Sequence, residues 1–179
     1  MEELSAQQRN TKAALYGVVA GVLYAIITTI ALKQVDNLDQ SRIIKAAGTI
    51  LLFVVIGLFT VQIRKANGGY LSFKNAFGVI FIMILIATTL NFVANYIYIQ
   101  YIDKDYAIHL KNATIAWLQK VKPEEVAKTS ADFDRQIAES KKFSLGNNLM
   151  NLSMTILYNC LPGLIVGFIV KKNRPELAE

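Results

Sequence analysis

Residues 75–102 read NAFGVIFIMILIATTLNFVANYIYIQYI, 28 consecutive positions without a charged side chain. A helix of about 20 mostly apolar residues crosses a hydrocarbon core of about 30 Å, so this run specifies a membrane span. At 1.5 Å per residue it would extend about 42 Å, longer than the core, and its end must project or the helix must tilt. The core is therefore placed from about Phe77 to Ile97, with Tyr96, Tyr98 and Tyr101 at the lipid–water boundary where tyrosine rings are favoured. Three further uncharged runs, 13–32, 46–63 and 143–170, hold 20, 18 and 28 residues. Together the four occupy more than half of the 179 residues. The fold class that follows is all-α: an integral membrane four-helix bundle forming a single membrane domain over 1–179. Its spans are placed at about 13–32, 46–63, 76–100 and 147–170.

The connections set the topology. Asp36, Asn37, Asp39 and Ser41 make a short polar link, so spans one and two are antiparallel neighbours. Arg64 and Lys65 stop span two. Asn67-Gly68-Gly69 then supplies a turn that tolerates positive φ, and Ser72 offers a helix N-cap for span three. The third connection, 103–142, carries its own helical pattern: Leu110, Ala113, Trp117 and Val121 recur at helical spacing, and Lys122-Pro123 breaks the run. Pro123 suits the first turn of a new helix, with Glu124 and Glu125 favourable beside it and Val126, Phe133 and Ile137 forming a narrow apolar stripe. The expectation is a helical hairpin outside the membrane, either a solvated cap or an element whose Trp117 and Phe133 touch a partner or the membrane surface.

The formal charge of +6 would raise nucleic acid as a partner in a soluble protein. Here the basic residues flank the spans, and anionic lipid headgroups are the natural counter-charge. Arg9, Lys12, Arg64, Lys65, Lys74, Lys171, Lys172 and Arg174 gather on the side of the two termini, close to span ends, which predicts cytoplasmic N- and C-termini. Eight Lys and Arg in the 103–142 loop, with Lys141, Lys142 and Arg42 near span ends, count the other way. The mixed leader with Glu2, Glu3, Arg9 and Lys12, followed by a long apolar run, predicts a retained first span rather than a cleaved signal peptide. Cys160, the single cysteine, excludes an intramolecular disulfide.

Within the spans the polar and small residues are patterned. Gly17 and Gly21 in span one, and Gly163 and Gly167 in span four, repeat a four-residue spacing that lets a second helix backbone come close. Asn148, Asn151, Thr155, Asn159 and the two glycines fall at intervals of three or four along span four, and span three carries Thr88, Asn91 and Asn95. With antiparallel spans and midplanes near Ala87 and Cys160, Asn91 matches Thr155 in depth and Asn95 matches Asn151, so the stripes of spans three and four are expected to face each other rung by rung. Asn91, Asn95, Asn151, Thr155 and Asn159 then form either helix-to-helix glue or a polar patch for a small ligand.

Reaction chemistry is not encoded in any pattern recognised here. Proton- or ion-coupled transporters commonly keep ionisable groups inside the membrane, and the four runs have none. Pro162-Gly163 is the one candidate for a broken helix, and an ordinary proline kink explains it as well. His109, the only histidine, falls in the loop. No catalytic residue, metal site or cofactor is assigned.

The Gly68-Gly69-Tyr70-Leu71-Ser72-Phe73-Lys74-Asn75-Ala76-Phe77 lead into span three, its tyrosine-rich exit into Tyr101-Ile102-Asp103, and the helical loop of about 40 residues before the last span resemble a family of small four-span bacterial inner-membrane proteins classed only as a domain of unknown function. The resemblance covers nearly the whole chain and implies a bacterial cytoplasmic membrane location and no established activity. The expectation is a non-catalytic accessory or interaction protein whose partners are the lipid bilayer and a homo-oligomer or membrane complex, without nucleic acid. A small transporter or channel subunit using the polar patch is the alternative.

Overall fold

A computed structural model describes residues 4–140 and 145–173. Lys141, Lys142 and Arg174 of the charge count therefore lie outside the described residues. The long helices are α1 Ala6–Lys33, α2 Leu38–Ala66, α3 Phe73–Ile97 and α6 Leu145–Val170, with α4 Tyr106–Val121 and α5 Val126–Ser140 between the third and the last. All four long helices have the length and hydropathy to cross a membrane. Helices α1 and α2 begin and end beyond the uncharged runs, and α3 begins two residues ahead of its own, because caps rather than charges set where they start. Ser5 and Gln8 form a reciprocal capping box ahead of α1, Asn37 caps α2 through the Gln40 N–H, and Ser72 caps α3 through the Asn75 N–H. The turn before α3 has Gly68 at φ +73° and Gly69 at φ +88°, as the Asn-Gly-Gly sequence predicts.

Helix α3 is the hub, touching α1, α2 and α6. Its Ala76, Ile80, Met83, Ile84 and Ala87 have no exposed surface and centre the main apolar core. Helices α1 and α3 run parallel and make the closest contact. A β-carbon built on Gly17 would lie 3.1 Å from the Met83 Cα, and one on Gly21 would lie 2.8 Å from the Ala87 Cα. Both glycines were expected to admit a second backbone; the helix they admit is α3. Gly163 and Gly167 of α6 also face α3, but what they approach there is side chain: the Ile84 Cδ1 at 2.6 Å and the Phe73 ring at 3.3 Å from the would-be β-carbons.

At the end holding the termini, three chain segments are joined by backbone and side-chain hydrogen bonds. The Leu71 N–H donates to the Lys172 carbonyl at 2.8 Å and the Lys172 N–H returns to Leu71 at 2.9 Å. Arg64 Nη1 donates to the Val170 carbonyl at 2.8 Å, satisfying one of the carbonyls that the end of α6 leaves open. The buried Asn67 side chain accepts from the Leu4 N–H and donates to the Tyr70 carbonyl. The start of α1, the α2–α3 turn and the segment after α6 therefore share one end of the bundle, as an even number of spans requires.

At the opposite end Leu32, Val35, Tyr98 and Tyr106 form a second small core. The chain leaves α3 through a π-helical turn, Tyr98–Ile102, which aims α4 back across the mouth of the bundle. Arg42, from the start of α2, lies 4.7 Å over the Trp117 ring of α4. Cation–π contacts of this kind contribute about 0.5–2 kcal/mol. Since Trp117 is the only tryptophan, Arg42→Ala should shift its fluorescence to the red as the hairpin loosens, while the helical signal stays unchanged. An unaltered spectrum would show that the contact does not hold the cap.

Burial first, and the nearby Asp103 carboxylate second, raise the Tyr106 hydroxyl above its usual pKa. The folded state thus favours the neutral phenol. Its contribution to stability is fully present below the ordinary tyrosine value and is lost as pH rises through the raised one. Tyr106→Phe should remove a late-titrating component from the tyrosinate absorbance curve; a curve of unchanged shape would contradict the burial of this ring.

Candidate functional site

The polar residues of the spans divide into two groups. Thr28 of α1 is 5% exposed and lies opposite Asn91 and Asn95 of α3. Its Oγ1 is 2.5 Å from Asn91 Oδ1, 3.1 Å from the Ala25 carbonyl and 3.4 Å from Asn95 Oδ1. One hydroxyl proton serves one acceptor, and the shortest contact gives it to Asn91. The Asn95 amide nitrogen in turn donates to Asn91 Oδ1 at 3.4 Å. This cluster forms because α1 and α3 are parallel: the face that sets Gly17 and Gly21 on α3 brings Thr28, seven residues beyond Gly21, to the level of Asn91. Thr28 was not singled out from sequence, although its position on the glycine face of α1 was the available signal.

Asn159 is the member of the span-four stripe that reaches across, with Nδ2 donating to the Thr88 hydroxyl at 3.2 Å. Asn151 and Thr155 do not meet Asn95 and Asn91. Thr155 donates back to the Asn151 carbonyl within its own helix, and both residues are exposed. The rung-by-rung pairing expected between spans three and four is therefore replaced. Matching depth was not sufficient, because α1 already covers the face of α3 that carries Asn91, and α6 packs through Gly163 and Gly167 nearer the termini end. Only 17% of the apolar segment of α6 is buried, against 44% for α3.

The helix runs unbroken through Pro162, so the sequence's candidate break is not a pair of half-helices. The proline has no N–H, and the Tyr158 carbonyl loses its usual partner four residues on.

Outside the spans, Trp117 is half-buried under Arg42, and Phe133 is half-buried on the face of α5 that also carries Val126 and Ile137. Helix α5 packs on α4 and on the Pro123–Glu125 turn, with Lys111 Nζ 2.6 Å from the Asp134 carboxylate. Trp117 is thus engaged by the start of α2, and Phe133 keeps part of its surface exposed. His109 Nδ1 lies 4.0 Å from Asp103 and is half-exposed. Among the described residues no three His, Cys, Asp or Glu side chains converge. This arrangement can hold helices together and can dock another helix.

The model of a family described as a protein of unknown function, DUF4199, matches residues 15–172. The chain belongs to the DUF4199 family. The matched region takes in all four long helices except the start of α1, together with the cap. No curated protein and no solved structure matches this DUF4199 chain.

Proposed function

We propose that this multi-pass membrane protein is a non-catalytic accessory protein of the bacterial cytoplasmic membrane, with both termini cytoplasmic, that works by docking other membrane-embedded helices. The observation that carries the reading is the division of the polar residues. Thr28, Asn91, Asn95, Thr88 and Asn159 are spent on one another inside the bundle, whereas α6 keeps Asn151 and Tyr158 on a face that no helix covers among the described residues. A polar side chain facing hydrocarbon costs free energy that a partner helix recovers. Helices α1, α2 and α3 show lipid the expected face of Val, Leu and Ile, such as Val22, Ile50 and Val93.

The same cluster of amides would serve a small transporter or channel subunit, and solute flux separates the two readings. Liposomes reconstituted with the protein should pass Na⁺, K⁺ and protons no faster than protein-free liposomes. A flux that Asn91→Leu abolishes, with expression and helicity intact, would sink the accessory reading in favour of the transporter. Orientation is checked by labelling Lys65→Cys in a Cys160→Ser background: an impermeant thiol reagent should reach it from the cytoplasmic side alone.

A further inference from the structure

We propose that α6 is a hinged helix: residues 163–170 are fixed to the bundle, and residues 146–161 swing about Pro162 as an arm, latched by the bond from Asn159 to Thr88. Leu152, Ile156, Asn159, Gly163, Gly167 and Val170 follow one another at intervals of three and four, so they lie on the one face of α6 that is turned to the bundle. Gly163, Gly167 and Val170 are buried, whereas Asn159, Ile156 and Leu152 are each only half-buried. The same face therefore loses its cover within one turn of Pro162. The part beyond the proline is held at several points. Gly163 and Gly167 sit against Ile84 and Phe73, and the Phe168 ring stacks on Phe73 with centroids 4.3 Å apart. Arg64 holds the Val170 carbonyl, and the paired Leu71 and Lys172 backbones close the end. On the arm, Asn159 Nδ2 reaches the Thr88 hydroxyl at 3.2 Å.

The proline decides where the helix yields. In hydrocarbon, bending a helix breaks backbone hydrogen bonds that no water replaces. At Pro162 one such bond is already missing, that of the Tyr158 carbonyl, and the ring presses on the same carbonyl, so bending there costs least. A side-chain hydrogen bond between membrane helices shifts an equilibrium about threefold, so a single latch leaves both positions of the arm populated. Hinge motions of this kind fall in the microsecond to millisecond range. Only four residues separate Ser140, the end of α5, from Leu145 at the start of α6. A swing outward parts Asn159 from Thr88 and carries the end of the cap with it, so whatever engages the cap outside the membrane biases the arm within it.

The test is pulsed electron double resonance on the full chain in lipid nanodiscs, with spin labels on two cysteine pairs in a Cys160→Ser background. Ile26→Cys with Met150→Cys reports the arm against α1, and Leu15→Cys with Ile169→Cys reports the fixed part; all four positions are exposed, so the labels leave the bundle packing untouched. The first pair should give a distance distribution at least about twice as broad as the second. Pro162→Ala, which restores the missing backbone bond, should narrow the first distribution to the width of the second. Asn159→Leu should raise its long-distance population about threefold and leave the second pair unchanged. Equal widths for the two pairs in the parent protein overturn the hinge. A broad first distribution that Pro162→Ala does not narrow also overturns it, since the spread would then come from fraying of the helix end rather than from a pivot.

Discussion

Gly21→Leu should abolish the α1–α3 contact and unfold the bundle, at a cost at or above about 3 kcal/mol, the upper part of the range for forcing extra side-chain atoms into a packed interior. The size follows from what stands in the way. A β-carbon at residue 21 meets the Ala87 Cα at 2.8 Å and the Leu90 side chain at 3.0 Å. The first obstacle is backbone, and it can move only if the two helices separate. Separation would also draw Thr28 from Asn91, so the polar cluster and the glycine contact fail together. Gly163→Ala is the control: its β-carbon would come closer still, 2.6 Å, but to the tip of the Ile84 side chain, which can change rotamer. It should cost about 1 kcal/mol or less. Thermal or denaturant unfolding in bicelles, followed by circular dichroism, checks both. A smaller loss for Gly21→Leu than for Gly163→Ala would contradict the packing described here.

The second large effect is expected at Asn91. Asn91→Leu should destabilise the monomeric bundle by about 1–2 kcal/mol, because it leaves the Thr28 hydroxyl and the Asn95 amide without their shared acceptor in a region that water does not reach. Thr28→Val should cost somewhat less, since it takes the hydroxyl away altogether and leaves Asn91 Oδ1 still accepting from the Asn95 amide nitrogen 3.4 Å away. The two changes should not add. A double-mutant cycle is expected to return a coupling of about 0.6–1.7 kcal/mol, the span measured for hydrogen bonds between membrane helices. Asn151→Leu, by contrast, should leave monomer unfolding within about 0.5 kcal/mol of the parent, since its side chain lies on the exposed face of α6. Equal losses at Asn91 and Asn151 would restore the pairing of spans three and four that depth matching suggests.

These two predictions mark where the sequence was readable. Four uncharged runs sufficed for the spans, because in hydrocarbon the backbone has no alternative to the helix. Turn chemistry sufficed for the Asn67-Gly68-Gly69 connection, where positive φ leaves little choice of residue. Which helices touch was only half legible. Gly17 and Gly21 announced a close approach, but a glycine pair does not name the helix that will approach it, and Asn91 and Asn95 were matched to the wrong partner. Depth along the membrane normal can be counted from the chain; rotation and neighbour order about that normal depend on packing of all four helices at once. Arg42 and Arg64 were read only as charges at span ends. In the fold one lies over Trp117 and the other caps α6, contacts between residues 75 and 106 positions apart that no local pattern reveals.

The uncovered face of α6 is where these packing choices bear on function, and native mass spectrometry of the protein released gently from its own membrane tests that link most directly. A complex with a second polypeptide at fixed stoichiometry, weakened when Asn151 and Tyr158 are replaced by Leu and Phe, is the result expected of a membrane accessory protein. A bare monomer, or a monomer retaining a small molecule that is lost in Asn91→Leu, would contradict it.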